Sequence, residues 1–245
     1  MIILEKTDTF DPSAFERLKK AEEKHFWFQI RRKWIFTKIR KFIAPPAKIL
    51  EVGCGTGNVS SFLAQKGYKV TGCEFYSEAI KRAWQGFLMV QGDANNLPFR
   101  EDSFDIIGLF DVIEHFQDDI SILKEAYRVV RRGGIVTVTV PAREELWSWF
   151  DETSLHKRRY TKENLKQIFL KSNLKPLLSE YIFMLLYPFM KYTRGNERKK
   201  GANPFKINRL SNTLFRSIFD TERHLSNYFS FPIGTSLIGV ACKPN

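Results

Sequence analysis

The sequence predicts an α/β protein with a doubly wound, mostly parallel sheet. Two observations predict it. Between residues 47 and 141, apolar runs of strand length alternate with helical patterns, and that alternation builds parallel sheets. The first apolar run ends in a glycine-rich turn that opens a helix, a junction where open α/β sheets take up ligands.

The elements follow in order. Residues 12–43 read as helical, with Phe15, Leu18, Phe26, Ile30, Trp34 and Ile39 spaced among Lys, Arg and Glu. Pro45-Pro46 ends that segment. KILEV is a buried strand running into GCGTG, and a helix over 59–66 stops at Gly67. Strand YKVTGCE, helix SEAIKRAWQ, strand FLMVQGD and strand FDIIGLFDVIEH come next. Helix DDISILKEAYRVV ends at the Arg-Arg-Gly-Gly of 131–134, and strand IVTVTVPA follows. TKENLKQIFLKSN is a helix capped by Thr161, with Asn164 where a capping box would want Glu. KPLLSEYIF and GTSLIGVACK supply the last two of seven strands, expected as an antiparallel hairpin. The expected organisation is an N-terminal helical segment (1–46), a core (47–180 and 233–245) and an insertion (181–232).

Composition narrows the class. The 245 residues are 43% hydrophobic, enough for one full core with additions. Three cysteines stand apart, with no His/Cys spacing that suggests a metal, so free thiols in a reducing compartment are expected. MIILEKTDTFDPS has no apolar core and does not read as a signal peptide. The longest apolar run, 182–190, falls short of the roughly 20 residues that span a bilayer. A cytoplasmic protein is the expectation, with peripheral membrane contact through the insertion as its proposed link to a membrane surface.

The net charge of +12 is uneven. Residues 1–46 carry 11 Lys/Arg against 6 Asp/Glu, 47–150 carry 11 against 14, and 151–245 carry 17 against 7. Basic ends around a near-neutral middle suit an anionic partner: phospholipid headgroups, a phosphorylated substrate or nucleic acid.

The chemistry-bearing residues fall at strand ends. Gly53, Gly55 and Gly57 let the backbone turn sharply and approach a ligand. Glu74 closes the second strand, 21 residues after Gly53, where a carboxylate can accept two ribose hydroxyls. Asp93, followed by Ala94, closes the third, where it can accept an adenine amino group. Asp111 follows the fourth, and Glu51 can orient the glycine turn. The third glycine of a G-x-G-x-x-G dinucleotide turn is missing, which argues against NAD. Cys54 and Cys73 read as packing residues, since no basic partner is placed to form a thiolate.

This ordered set resembles the class I S-adenosylmethionine-dependent methyltransferases, over about residues 47–142. The resemblance implies a Rossmann-like fold, S-adenosylmethionine as cofactor and S-adenosylhomocysteine as product. It places Gly53, Gly55 and Gly57 at the methionine pocket, Glu74 on ribose, Asp93 and the Ala94 amide on adenine, and Asp111 under the methionyl end. His25-Phe26-Trp27-Phe28-Gln29-Ile30-Arg31 resembles the H-x-W-F-x-x-R entry of a type 11/23-like subset. That implies a helical lid over the cofactor, with Arg31 on the methionine carboxylate. Asp151 and His156 to Thr161 resemble the D-x4-H-x-R-R-Y-[ST] segment of the same subset, on a loop beside the acceptor. His156 is then either a base or a loop anchor, and Arg159 and Tyr160 are expected to hold an anionic or sugar-like acceptor. His115 is either a base or a wall of the pocket. No N-P-P-Y signature of amino-group methylation is present, so O-methylation of a small-molecule, sugar or lipid-linked acceptor is favoured. An RNA methyltransferase and a non-catalytic, partner-activating subunit are the alternatives, and a homodimer is a further possible partner state. The insertion is expected to cap the acceptor.

Overall fold

The computed structural model describes residues 13–194 and 207–245. The chain begins with helices α1 (Ser13–Lys24) and α2 (Phe26–Ile39). Then come β1 (Lys48–Val52), α3 (Asn58–Gln65), β2 (Lys69–Glu74), α4 (Ser77–Ile80), β3 (Leu88–Gln91) and β4 (Phe104–Phe110). A 3-10 turn (Ile113–His115) leads to α5 (Asp119–Val129) and β5 (Val130–Pro141). After α6 (Trp149–Thr153) and α7 (Lys162–Lys171), β6 (Lys175–Ile182) is followed by α8 (Leu186–Arg194), α9 (Arg209–Leu225) and β7 (Ser236–Cys242).

The seven strands form one sheet in the order β3-β2-β1-β4-β5-β7-β6. All neighbours run parallel except β7, which pairs antiparallel with both β5 and β6. The order reverses between β1 and β4, so the carboxyl ends of those strands open a crevice. Both faces of the central strands are covered: Ile49, Leu50, Ile106, Ile107, Val136 and Val138 are fully buried. This explains their continuous apolar runs.

Three expectations are refined. The helical pattern over 12–43 resolves into two helices, broken at His25, whose Nδ1 accepts the Trp27 amide as a cap. Helix SEAIKRAWQ shrinks to one turn, because Thr56 takes the Trp84 amide and draws the chain back to the glycine turn. The box at Thr161 is complete with Asn164, whose amide oxygen accepts the Thr161 N–H as a carboxylate would.

The N-terminal helices and the insertion pack on each other. Phe26 stacks on Phe219 at 5.3 Å and meets Phe215 edge-on at 5.2 Å. Trp34, fully buried, donates to Ser226 Oγ at 3.1 Å. Lys38, also fully buried, reaches the Ser226 carbonyl and the Glu180 carboxylate. So α2 is fixed to β6 and to the end of α9. Glu222 of α9 accepts the amides of Met184 and Leu185 and ties down the start of the insertion. The apolar residues of α9 and of the turn after it face inward only in part. Phe219 is buried, but Leu210 is 85% exposed and Leu214, Leu225 and Phe229 are also exposed. The basic residues Arg198, Lys199, Lys200 and Lys206 lie outside the described residues.

Candidate functional site

The site begins where β1 ends. The amides of Gly53 and Cys54 both donate to the Cys73 carbonyl, so the chain turns tightly against β2. Gly53, Gly55 and Gly57 all have left-handed φ, at 65°, 57° and 83°. A side chain at Gly57 would strike the Phe87 ring, whereas one at Gly55 would project into open space. Gly55 therefore presents bare backbone to a void. Glu51, buried below the turn, accepts the Ser60 hydroxyl from α3. Burial pushes its carboxyl up to about 7.

Glu74 is 1% exposed at the end of β2. Its carboxylate accepts the Gly55 amide at 2.7 Å and the Tyr76 amide at 3.0 Å, and burial raises its carboxyl above the usual range. Beside it lies a cavity of about 370 Å³ lined by Phe75, Tyr76, Ser77, Gln91, Gly92 and Asp93. Asp93 is exposed at its mouth and accepts the Asn95 amide at 2.9 Å, with half-buried Ala94 beside it.

On the other side of the turn, α2 brings Arg31 to the end of β4. Arg31 Nη2 stands 2.5 Å from the Asp111 carboxylate and donates to Thr139 Oγ1 at 3.2 Å. Both residues of the pair are buried, Asp111 has a left-handed φ of 57°, and Arg31 Nε has no hydrogen-bond partner. Glu22 of α1 closes the same side by accepting the Thr56 hydroxyl at 2.5 Å.

Beyond Asp111 the chain gathers a buried polar cluster. Glu114 is fully buried and neither of its carboxylate oxygens has a hydrogen-bond partner. Burial and the nearby Asp111 push its carboxyl well above the usual range. Neither ring nitrogen of His115 completes a hydrogen bond, although the carbonyls of Ser154 and Asp111 favour its protonated form. Burial dominates and holds its pKa down at about 2. The loop after β5 folds back here. The Lys157 amide donates to the Glu114 carbonyl at 2.7 Å, which sets the His156 ring 4.8 Å from the His115 ring. His156 Nδ1 meets Asp151 at 2.9 Å.

Arg159 and Tyr160 are both turned inward in this structure. Arg159 is 6% exposed, with its guanidinium on Asp151 and the Ala142 carbonyl. Tyr160 is 1% exposed and donates to Asp119 at 2.8 Å. Both clasp the loop from within, although Arg159 Nε, like Arg31 Nε, has no hydrogen-bond partner.

Sequence reasoning missed Glu22, Thr56, Phe87, Glu114 and Thr139. Glu114 and Thr56 carried a local signal, one beside His115 and the other between Gly55 and Gly57. The others meet the site through contacts between segments far apart in the chain.

The arrangement fits a nucleoside with a charged tail. A bare Gly55, the Glu74 carboxylate and a cavity of suitable size lie on one side, and an incompletely satisfied guanidinium on the other. Residues 50–138 match the model of a methyltransferase domain. The malonyl-[acyl-carrier protein] O-methyltransferase of Hamiltonella defensa is 31% identical over 160 residues, 60% of this chain and 61% of that one. A Haloferax volcanii chain, solved with the Trm112 methyltransferase activator, superposes with a TM-score of 0.66 at 16% identity, over 95% of both chains. Haemonchus contortus phosphoethanolamine N-methyltransferase 2, solved with S-adenosyl-L-methionine, gives 0.64 at 15% identity, over 97% of this chain and 58% of that one. The chain spans about half the length of the curated relatives it matches.

Proposed function

We propose that this chain, a class I methyltransferase by its fold and by the domain at residues 50–138, uses S-adenosylmethionine to methylate an acceptor oxygen. The acceptor class is a small molecule, a sugar or a lipid-linked compound. One observation carries the reading: three left-handed glycines, the Glu74 carboxylate and the Arg31–Asp111 pair converge on one carboxyl edge of the sheet. The Hamiltonella relative's O-methyltransferase name supports oxygen as the acceptor atom.

The bound cofactor supplies a methyl group already activated on a sulfonium, so the protein's work is mainly alignment. Glu74 accepts the ribose hydroxyls, and Asp93 with the Ala94 amide takes the adenine edge. Gly53, Gly55 and Gly57 bring backbone against the methionyl part. Glu51 holds the turn through Ser60, and Arg31 takes the carboxylate beside Asp111. For a hydroxyl acceptor, His156 is the proton-accepting group: Asp151 holds its Nδ1 and leaves Nε2 for the acceptor side. His115, kept neutral by its burial, walls the pocket.

Glu74→Ala should weaken S-adenosylmethionine binding by about 1–3 kcal/mol, the scale for losing a hydrogen-bond partner at a buried site. Calorimetry reads this directly, and unchanged affinity would remove Glu74 from the site. A labelled-cofactor assay on fractionated lipid, glycan and RNA extracts tests the activity. In that assay His156→Ala should lose turnover while keeping cofactor binding, and label entering RNA alone would replace the acceptor reading.

The insertion supports a peripheral membrane contact. On and beside α8, Leu185, Phe189 and Tyr192 are 50%, 60% and 75% exposed, with Lys191 also exposed. An apolar edge beside basic charge is the composition of interfacial helices. Among the described residues, no helix is long and apolar enough to cross a membrane. Cosedimentation should require anionic vesicles, fall with salt, and drop in Phe189→Ser and Lys191→Glu. No sedimentation at low salt would leave the insertion as a lid only.

A further inference from the structure

We propose that Glu114, His115 and His156 form a binding site for one divalent transition-metal ion, next to the methyl-transfer centre. One ligand atom from each lies within 4.8 Å of the others. Tetrahedral ligands about 2.1 Å from an ion stand about 3.4 Å apart, so small rotations of the three side chains close the site. The sequence conceals it, because His156 joins the Glu-His pair only through the returning loop.

The second observation is the state of these groups. A fully buried carboxylate with two unpartnered oxygens is costly unless it is paired or coordinates a metal. The outer contacts also suit ligation. A metal-bound histidine commonly gives its second ring nitrogen to a carboxylate or a backbone carbonyl. His156 has Asp151 on Nδ1, which leaves Nε2 for the ion. His115 has the Ser154 and Asp111 carbonyls in its surroundings.

Two imidazoles and one carboxylate select Zn²⁺, Fe²⁺ or Mn²⁺ over Mg²⁺ and Ca²⁺, which prefer oxygen donors. Three protein ligands leave a position open. The role of that position rests on the methyl-transfer reading; ion binding does not. An acceptor hydroxyl taking it becomes more acidic and releases its proton to water. Its oxygen then bonds the methyl carbon as the carbon–sulfur bond breaks, with the electron pair staying on sulfur. In the loaded protein His156 Nε2 is a ligand, and in the metal-free protein it is free to act as a base.

The test uses the full chain, stripped by chelation and dialysis. Zn²⁺ is titrated by calorimetry and Co²⁺ by its visible ligand-field absorption. About one equivalent of each should bind, with a tetrahedral or five-coordinate Co²⁺ spectrum. Glu114→Gln and His156→Gln, each checked for folding by circular dichroism and melting, should each weaken binding by about tenfold or more. His156→Gln keeps a hydrogen-bonding group beside Asp151 and orphans no buried carboxylate, so it remains informative if Glu114→Gln fails to fold. Stoichiometric binding absent from the wild type, or unchanged in folded variants, overturns the site. S-adenosylmethionine binding is measured on the metal-free protein. Its persistence would confine the failure to the ion, and its loss would count against the methyl-transfer reading instead.

Discussion

Arg31→Ala should lower stability by about 3–5 kcal/mol, the scale for removing one partner of a buried ion pair. The substitution leaves Asp111 buried without its cation and removes a donor from Thr139. It should also weaken S-adenosylmethionine binding by about 1.5–3 kcal/mol, as expected for a lost hydrogen bond to a charged group. The two effects can be separated. Adding Asp111→Asn removes the orphaned charge and should restore much of the stability, but not the affinity. Decarboxylated S-adenosylmethionine, which lacks the group Arg31 is proposed to hold, should lose far less affinity than the intact cofactor. Chemical unfolding and calorimetry give both numbers. Equal losses for the two ligands would make Arg31 purely structural.

Glu51→Gln should make the protein more stable above neutrality and leave it nearly unchanged in acid. The folded-state carboxyl is raised to about 7 by burial, against an ordinary value of 4.5. A raised acid contributes its stability below the unfolded value and loses it as the pH climbs through the folded one. Wild-type stability therefore declines across about pH 4.5–7 through this group, by about 3 kcal/mol. Glutamine keeps an acceptor for the Ser60 hydroxyl and cannot titrate. The variant's advantage in urea unfolding should grow from near zero at pH 4 to about 3 kcal/mol at pH 8. A gap that does not change with pH would mean that Glu51 does not titrate as described.

Much of the sheet was legible because its physics is local. Strand-length apolar runs, the glycine turn and the acidic strand ends each report on a few neighbouring residues. The break at His25 was not legible, since histidine is not among the preferred helix caps and works there only by turning Nδ1 onto the Trp27 amide. The shortening of α4 was hidden for another reason: SEAIKRAWQ is a good helix by pattern, and a tertiary hydrogen bond to Thr56 overrides it. The inward contacts of Arg159 and Tyr160 were not legible either, because a conspicuous Arg-Arg-Tyr run gives no sign of which polar ends the fold itself engages. Glu22 on Thr56 and His156 beside His115 depend on chain returns that no spacing encodes.

The placement of β7 has a consequence for how such a chain can diversify. Ile182, the last residue of β6, and Pro141, the last of β5, are both level with Ser236, the first of β7. The long segment between β6 and β7 therefore leaves and rejoins the sheet on the edge where the other strands present their ligand-facing ends. Closing a longer excursion there costs only logarithmically in its length, and no strand register has to change. That excursion can change in length and composition without moving the strand ends at Val52, Glu74 and Gln91.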